Sequence, residues 1–321
     1  MAKVFQNYEA ILDKVKTYDT IIIHRHLNPD LDALGSQLGL KGIINTLHPK
    51  KAVYCVGDEN DFRFIGSMDT IKDTVYNNAL AIVVDVAVKG LVSDKRYQLA
   101  AETLVIDHHM NDTDFADMIY TNSAHIATAQ ILADICIEYD IAIDGDTATK
   151  LMSGLVTDSG RFMYPATSAK TFKAAWFLME HGADLQFIYD HLYIEDLDFK
   201  KLKGYFINNF ETTKNNVAYM KNDKDLKTKY NVNTFTISRG MVNQMSGIKG
   251  IPMWANFTEE DNGDIICELR SKEIPIVDVA KKYGGGGHNL ACGCTVKSWK
   301  DTDAILHDLD QLLEKEGESH G

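Results

Sequence analysis

Four short stretches hold the residues best able to do chemistry. They are His26-Leu-Asn-Pro-Asp30-Leu-Asp32, Asp85 closing AIVVD, Asp107-His108-His109 closing TLVID, and Asp158 in GLVTDSGRF. Taken singly, each has an ordinary explanation. A lone Asp after a strand caps a turn or helix, adjacent histidines are commonly one packed and one solvated, and Pro29 beside Asp30 suits a turn. Taken together, they bring several carboxylates and imidazoles to one place. Carboxylates held within a few ångströms repel strongly unless cations neutralise them. Two divalent ions supply that charge, and an oxygen-rich set with a few imidazoles suits Mn²⁺, Mg²⁺ or Fe²⁺ better than a thiolate-seeking metal. Ions about 3.5–4 Å apart are a standard device of phosphoryl transfer: they activate a bridging water and clamp the oxygens that gain charge.

An open α/β sheet is the element that would gather these stretches. TIIIHRH (20–26), KAVYCVG (51–57), ALAIVVDVA (79–87) and TLVIDHH (103–109) are near-continuous apolar runs of strand length, as expected of parallel strands buried on both faces. Helical patterns alternate with them: DALGSQLGLKGIIN, SAHIATAQILADICIEYD and TATKLMSGLV. In the second, Ser123 is the expected N-cap, with Ile126, Ile131, Ala133 and Ile135 turned to the core. In such folds ligands bind beyond the carboxyl ends of the strands, so all four acidic stretches are expected at strand ends around one crevice.

Further along, Ser168 is expected to cap a helix over TFKAAWFLMEHG that stops at Gly182. LQFIYDHLYIEDLDFKKLKGYFINNF reads as a helical connector, and KNDKDLKTK (221–229) as a solvated turn. From about residue 215 the expected strands are VAYM, FTIS, IPMWANFTE, DIICELRS and LACGCTV, making a second, smaller α/β domain. Arg270-Ser271-Lys272 ends one of these strands, where an Arg fork could grip a phosphate. Gly284-Gly285-Gly286-Gly287-His288 is open to two readings: a helix stop followed by a loose turn, or a backbone cradle for an anion. The terminal EKEGESHG is expected to fray.

Composition narrows the function classes. The 321 residues hold 33 Lys plus Arg against 46 Asp plus Glu, a formal net charge of −13. That balance excludes coating long nucleic acid by charge and leaves small anions held locally. The five cysteines form no disulfide framework, and no stretch is an apolar signal or a membrane span, so the expectation is a reduced, cytoplasmic, non-membrane protein.

HLNPDLDALGS, VVD, DHH and GLVTDSGRFMYPAT, followed by RSK and GGGGH, resemble the DHH phosphoesterase family with its DHH-associated C-terminal domain, in order from about residue 20 to 295. More narrowly they resemble its bifunctional oligoribonuclease (nanoRNase) and pAp-phosphatase branch, whose relatives cleave linear dinucleotides such as pApA. The resemblance implies a parallel-sheet DHH catalytic domain (1–190), a helical connector (191–214) and a DHH-associated substrate-binding domain (215–321). It implies that His26 and Asp30 bind one ion, that Asp32, His108 and Asp158 bind the second, and that Asp85 bridges them. His109 would contact the reacting phosphate as donor or general acid, with Asp107 orienting the histidines. It also turns the reading of the glycines toward substrate binding by Arg270, Ser271, Lys272, Gly285, Gly286, Gly287 and His288, with Arg161 a weaker phosphate candidate. Leu31 stands where family members often carry Gly, and is expected to face away from the ions.

The implied activity is that of a 3′-5′ exoribonuclease or phosphodiesterase with two ions, Mn²⁺ or Mg²⁺. A metal-bridging hydroxide would attack phosphorus in line, releasing nucleoside 5′-monophosphates from short RNA or dinucleotides, and AMP from pAp. No long duplex nucleic acid is expected as partner, and a homodimer is left open. The rival readings are a manganese-dependent inorganic pyrophosphatase-like hydrolase and a non-catalytic nucleotide-binding sensor.

Overall fold

The computed structural model describes residues 2–110 and 115–319, which form two compact units, Met1–Ile194 and Glu195–Gly321. In the first, six strands form one parallel sheet: β1 (Lys3–Val4), β2 (Thr20–His24), β3 (Ala52–Cys55), β4 (Leu80–Val84), β5 (Glu102–Asp107) and β6 (Met118–Thr121), in the order β1-β6-β5-β4-β2-β3. The four expected apolar runs supply β2 to β5, and every residue of β4 is buried. Strands β1 and β6 were not anticipated; two and four residues are too short for a legible pattern.

Sheet order matters for the site. From β2 the chain goes to β3 on one side and then returns to β4 on the other, so the order reverses between β2 and β4. A crevice opens where neighbouring connections diverge in this way. His26 to Asp32 follow β2, and Asp85 follows β4.

Helices α1 (Glu9–Thr17), α2 (Leu31–Leu47), α3 (Thr128–Glu138), α4 (Gly145–Asp158), α5 (Ala169–Glu180) and α6 (Leu185–Leu192) complete the unit. As expected, Ser168 caps α5 in a reciprocal arrangement with Thr171, and Gly182 follows with φ +85°. Ile131, Ala133 and Ile135 are buried on α3, but Ser123 does not cap that helix, which starts five residues later at Thr128. Asp158 closes a helical apolar stretch, as its sequence suggests, being the last residue of α4, but it does not stand at a strand end with the other three motifs.

Helices α2 and α4 meet through a seam of glycines. A Cβ on Gly35 would lie 2.2 Å from the Lys150 carbonyl oxygen, and one on Gly154 would lie 2.6 Å from Asp32 Oδ1. Backbone cannot yield as a side-chain tip can. Gly35→Ala is therefore expected to destabilise the fold by about 1–3 kcal/mol, measured as a fall in the denaturation midpoint. Gly204→Ala meets nothing within 4 Å and is the matched control, expected to be neutral or slightly stabilising.

The second unit begins with α7 (Leu197–Asn209), so the stretch read as one connector is two helices, α6 and α7, interrupted at 193–196. Its sheet contains β7 (Glu211–Thr212), β8 (Val217–Asn222), β9 (Met253–Glu259), β10 (Ile265–Ser271), β11 (Gly286–His288) and β12 (Ala291–Val296), in the order β11-β12-β10-β9-β8-β7. The β8–β9 pair is parallel and the others antiparallel. Along β10, Ile265, Cys267, Leu269 and Ser271 are buried while Ile266, Glu268 and Arg270 are half-buried. The buried set packs with Ile276, Val279, Ile305 and Leu309 from α9 (Val277–Lys282), its flank and α10 (Trp299–Ser319).

Two expectations fail in this unit. FTIS is not a strand: Thr236–Gly240 forms a single π-helical turn, with Ile237 buried against Leu202, Phe206 and Met241. Packing overrides the strand propensity of its aromatic and β-branched residues. KNDKDLKTK is not a turn; it runs through the end of β8 into the short helix α8 (Asp225–Tyr230), where Lys227 pairs with Asp261. Helix α10 has its bound at Ser319, and residues 320–321 of the terminal EKEGESHG lie outside the described residues.

Candidate functional site

The acidic stretches converge in the first unit. Three groups of side chains have ligand atoms within 4.8 Å of one another: His26, Asp30 and Asp85; Asp32, His108 and Asp158; and Asp85, His108 and His109. All six residues expected to bind ions are among them, and Asp85 is common to two groups. His26 Nε2 lies 3.8 Å from Asp30 Oδ1 and 3.6 Å from Asp85 Oδ2. His108 Nε2 faces Asp158 at 3.5 Å, Asp85 at 3.6 Å and Asp32 at 3.9 Å.

Local structure aims these groups. Asp30 caps α2, its Oδ1 accepting the Ala33 N–H at 3.0 Å; the ordinary role of an Asp before a helix and membership of the cluster thus coexist. Asp32, one residue into α2, is fully buried. Leu31 between them points into the apolar core, as expected. Asp85 sits directly after β4 in a left-handed conformation, φ +56°, its N–H donated to Ile106, and such a conformation is uncommon for a non-glycine residue. His24 is in β2 and buried against Tyr76 and Tyr97, apart from the cluster.

Helix α3 supplies donors that the sequence reading did not single out. It has no side-chain cap of its own. The Asp32 carboxylate fills that role from α2, accepting the Thr128 N–H at 2.7 Å and the Ala129 N–H at 2.9 Å. Thr128 Oγ1 donates to Asp85 Oδ1 at 3.1 Å. Because these pairings span 43 to 97 residues of sequence, no local signature announces them.

Each imidazole is oriented through its second nitrogen. His26 Nδ1 lies 2.7 Å from the Leu27 carbonyl and His108 Nδ1 3.4 Å from that of His125; donation there leaves both Nε2 atoms turned to the carboxylates. His109 Nδ1 is 2.7 Å from Asp107 Oδ1, which also accepts the His109 backbone N–H. Asp107 is fully buried, whereas the His109 side chain is 46% exposed, and among the described residues its Nε2 has no hydrogen-bond partner.

The electrostatics favour bound cations. Burial, reinforced by Asp85 and Asp158, pushes the Asp32 carboxyl well up, and burial with Asp30 and Asp85 pushes Asp158 up to about 7. Burial opposes the charge on His26, yet Asp30 and Asp85 outweigh it and raise the ring to about 10. Asp107 raises His109 to about 9. All four shifts draw positive charge inward. His108 goes the other way: burial lowers it, keeping the ring neutral, and its buried Nε2 has no hydrogen-bond partner among the described residues. A neutral imidazole with an unused lone pair among unneutralised carboxylates fits divalent cations.

The second unit carries a separate cavity of about 720 Å³ lined by Arg239, Glu268, Arg270, Gly284 to Gly287 and His288. Arg270 and the glycine–histidine run thus meet as expected. Ser271 and Lys272 do not line it: the buried Ser271 hydroxyl accepts the Ile274 N–H, and Lys272 borders another hollow beside Trp254. Gly285 must lack a side chain, since a Cβ there would lie 2.1 Å from the Gly293 carbonyl oxygen. Arg239 and Glu268 were missed. Glu268 pairs with Arg270 at 3.0 Å and with Arg239 at 3.4 Å, leaving two guanidiniums with one carboxylate. The alternation of β10, which places residues 268 and 270 on one face, was the available signal for Glu268. In the first unit, Arg161 is exposed with its guanidinium 5.0 Å over the Tyr193 ring.

Residues 20–155 match the DHH family, N-terminal domain, and residues 217–315 the DHHA1 domain. The chain is 35% identical to the probable bifunctional oligoribonuclease and PAP phosphatase NrnA of Streptococcus mutans, over 95% of this chain and 99% of the relative. It is 33% identical to the bifunctional oligoribonuclease and PAP phosphatase NrnA of Bacillus subtilis, over 95% and 98%. Among solved structures, an exopolyphosphatase-related protein from Bacteroides fragilis shares the fold, with a TM-score of 0.72 at 24% identity over 95% of this chain and 97% of the other. Among the described residues no helix is long and apolar enough to cross a membrane. With both domains matched in order and full-length relatives at this identity, the chain belongs to the DHH family, its N-terminal domain followed by a DHHA1 domain.

Proposed function

We propose that this chain is a two-metal phosphoesterase that hydrolyses short oligoribonucleotides and linear dinucleotides such as pApA to nucleoside 5′-monophosphates, and pAp to AMP. The observation that carries the reading is the meeting of the three side-chain groups through Asp85 and His108, each common to two of them. The names borne by the Streptococcus and Bacillus relatives support the substrate class. His26 and Asp30 would hold one divalent ion and Asp32, His108 and Asp158 the other, with Asp85 between them; the oxygen-rich set favours Mn²⁺, and Mg²⁺ is the alternative. When bound, the ions would supply an acidified water as nucleophile and offset the charge that grows on the phosphate oxygens.

The remaining chemistry belongs to the chain. Asp107 holds His109 by Nδ1, so the ring presents Nε2–H to the oxygen that leaves phosphorus and can give up that proton as the bond breaks. Arg270 and Arg239, sharing Glu268, would bind an anionic end of the substrate, and the glycine backbone lets it approach closely. The acidic surface offers a long strand no source of affinity.

Arg270→Ala is expected to raise KM for a 5′-phosphorylated dinucleotide about 10- to 100-fold, the loss of one charge-assisted grip, with kcat changed little. Steady-state kinetics measure it. Pyrophosphate assayed beside the dinucleotide tests the substrate class: turnover of the dinucleotide supports the proposal, and turnover of pyrophosphate alone replaces it with the pyrophosphatase reading.

A further inference from the structure

Among the described residues, Thr128 is the one hydrogen-bond donor to the Asp85 carboxylate. Asp85 needs such a donor. The terminal torsion of an Asp side chain is broad, so burial alone does not fix how its two oxygens are turned. Here Oδ1 faces His108 Nε2 and His109 Nδ1, each at 3.6 Å, while Oδ2 faces His26 at 3.6 Å. The Thr128 hydroxyl, 3.1 Å from Oδ1, selects that orientation. Through its backbone N–H the same residue holds Asp32 Oδ2 at 2.7 Å. One fully buried residue therefore fastens a carboxylate from each of two groups.

Its place and type suit the task. As the first residue of α3, Thr128 has an N–H with no partner inside the helix. Its β-branched side chain has few rotamers, so the hydroxyl direction is set. The hydroxyl does not cap the helix, because Asp32 already takes the N–H groups of Thr128 and Ala129. Among the described residues its one hydrogen bond goes to Asp85, which follows β4.

From this arrangement we infer that Thr128 is a positioning residue, which turns Asp85 so that Oδ1 faces His108 and Oδ2 faces His26, and ties Asp85 to Asp32 at a fixed separation. The role rests on the two-metal reading above. The test uses the full chain stripped of metal, with Mn²⁺ as the probe, and compares wild type, Thr128→Val and Thr128→Ser. Calorimetric titration gives Mn²⁺ affinity, and the denaturation midpoint without metal reports the fold. Val keeps the shape and removes the hydroxyl; Ser keeps the hydroxyl and removes the methyl group.

Thr128→Val is expected to weaken Mn²⁺ binding about 10- to 100-fold, the usual effect of losing a group that orients a ligand. Thr128→Ser is expected to bind nearly as wild type even if its midpoint falls. Wild-type affinity in folded Thr128→Val would overturn the role while leaving the metal centre standing. An equal loss of affinity in both variants would also overturn it, since packing would then be the cause. If Thr128→Val does not fold, the Ser variant decides: retained affinity supports the role and lost affinity overturns it. Absence of Mn²⁺ binding by the wild type would overturn the metal centre and the role together.

Discussion

Asp85→Asn is expected to lower kcat/KM on a 5′-phosphorylated dinucleotide by at least about 10³-fold, a loss of about 4 kcal/mol of transition-state stabilisation. The substitution is chosen to remove charge and little else. Asn tolerates the left-handed backbone at φ +56° and can still accept the Thr128 hydroxyl, so the fold should survive. What disappears is the negative charge common to two of the three side-chain groups. Mn²⁺ affinity should fall with activity while the metal-free protein stays folded, because the relieved repulsion on Asp32 and Asp158 offsets the lost pairing with His26. Wild-type turnover in this variant would remove Asp85 from the mechanism.

His109→Asn is the second large effect, and its signature differs. Loss of a positioned general acid is expected to lower kcat about 10²- to 10⁴-fold. Mn²⁺ affinity should remain within about threefold of wild type, because His109 orients no other ligand in the proposed set. The distinction matters because Asp85, His108 and His109 are themselves close enough to hold an ion. A drop in Mn²⁺ affinity as large as the drop in kcat would make His109 a ligand and leave the proton donor to be found elsewhere. Titration calorimetry and single-turnover kinetics on one preparation separate the two outcomes.

Much of the fold was legible because burial leaves a simple trace. Strands enclosed on both faces read as apolar runs, and β2, β4 and β5 were recognisable for that reason, whereas the edge strand β3, with Ala52 and Tyr54 half-buried, showed as a short β-branched and aromatic run. Ser168 and Gly182 announced α5 because capping is local chemistry. Most of the site was legible as well, since three of its stretches follow strands of one parallel sheet, and their order alone gathers them. The start of α3 was hidden because its cap, Asp32, comes from 96 residues away in the chain. The tight seam between α2 and α4 went unread because Gly35 and Gly154 disclose their role only when Lys150 and Asp32 are placed against them. Glu268 went unread for a chemical reason: an acid is an unexpected neighbour for an anion site until the two arginines that share it are seen. Thr236–Gly240 misled because propensity describes a chain segment, whereas Ile237 answers to the apolar cluster around it.

The central claim is that cations held by this cluster drive hydrolysis of short nucleotide substrates. Its most direct measurement follows AMP release from pApA by the metal-stripped protein as Mn²⁺ is titrated in, with 5′-phosphorylated oligoribonucleotides of increasing length assayed in parallel. The expected result is no release without the ion, release that rises and saturates with Mn²⁺, and turnover that declines as the strand lengthens. Full activity in the presence of excess chelator, or turnover that rises with strand length, would contradict it.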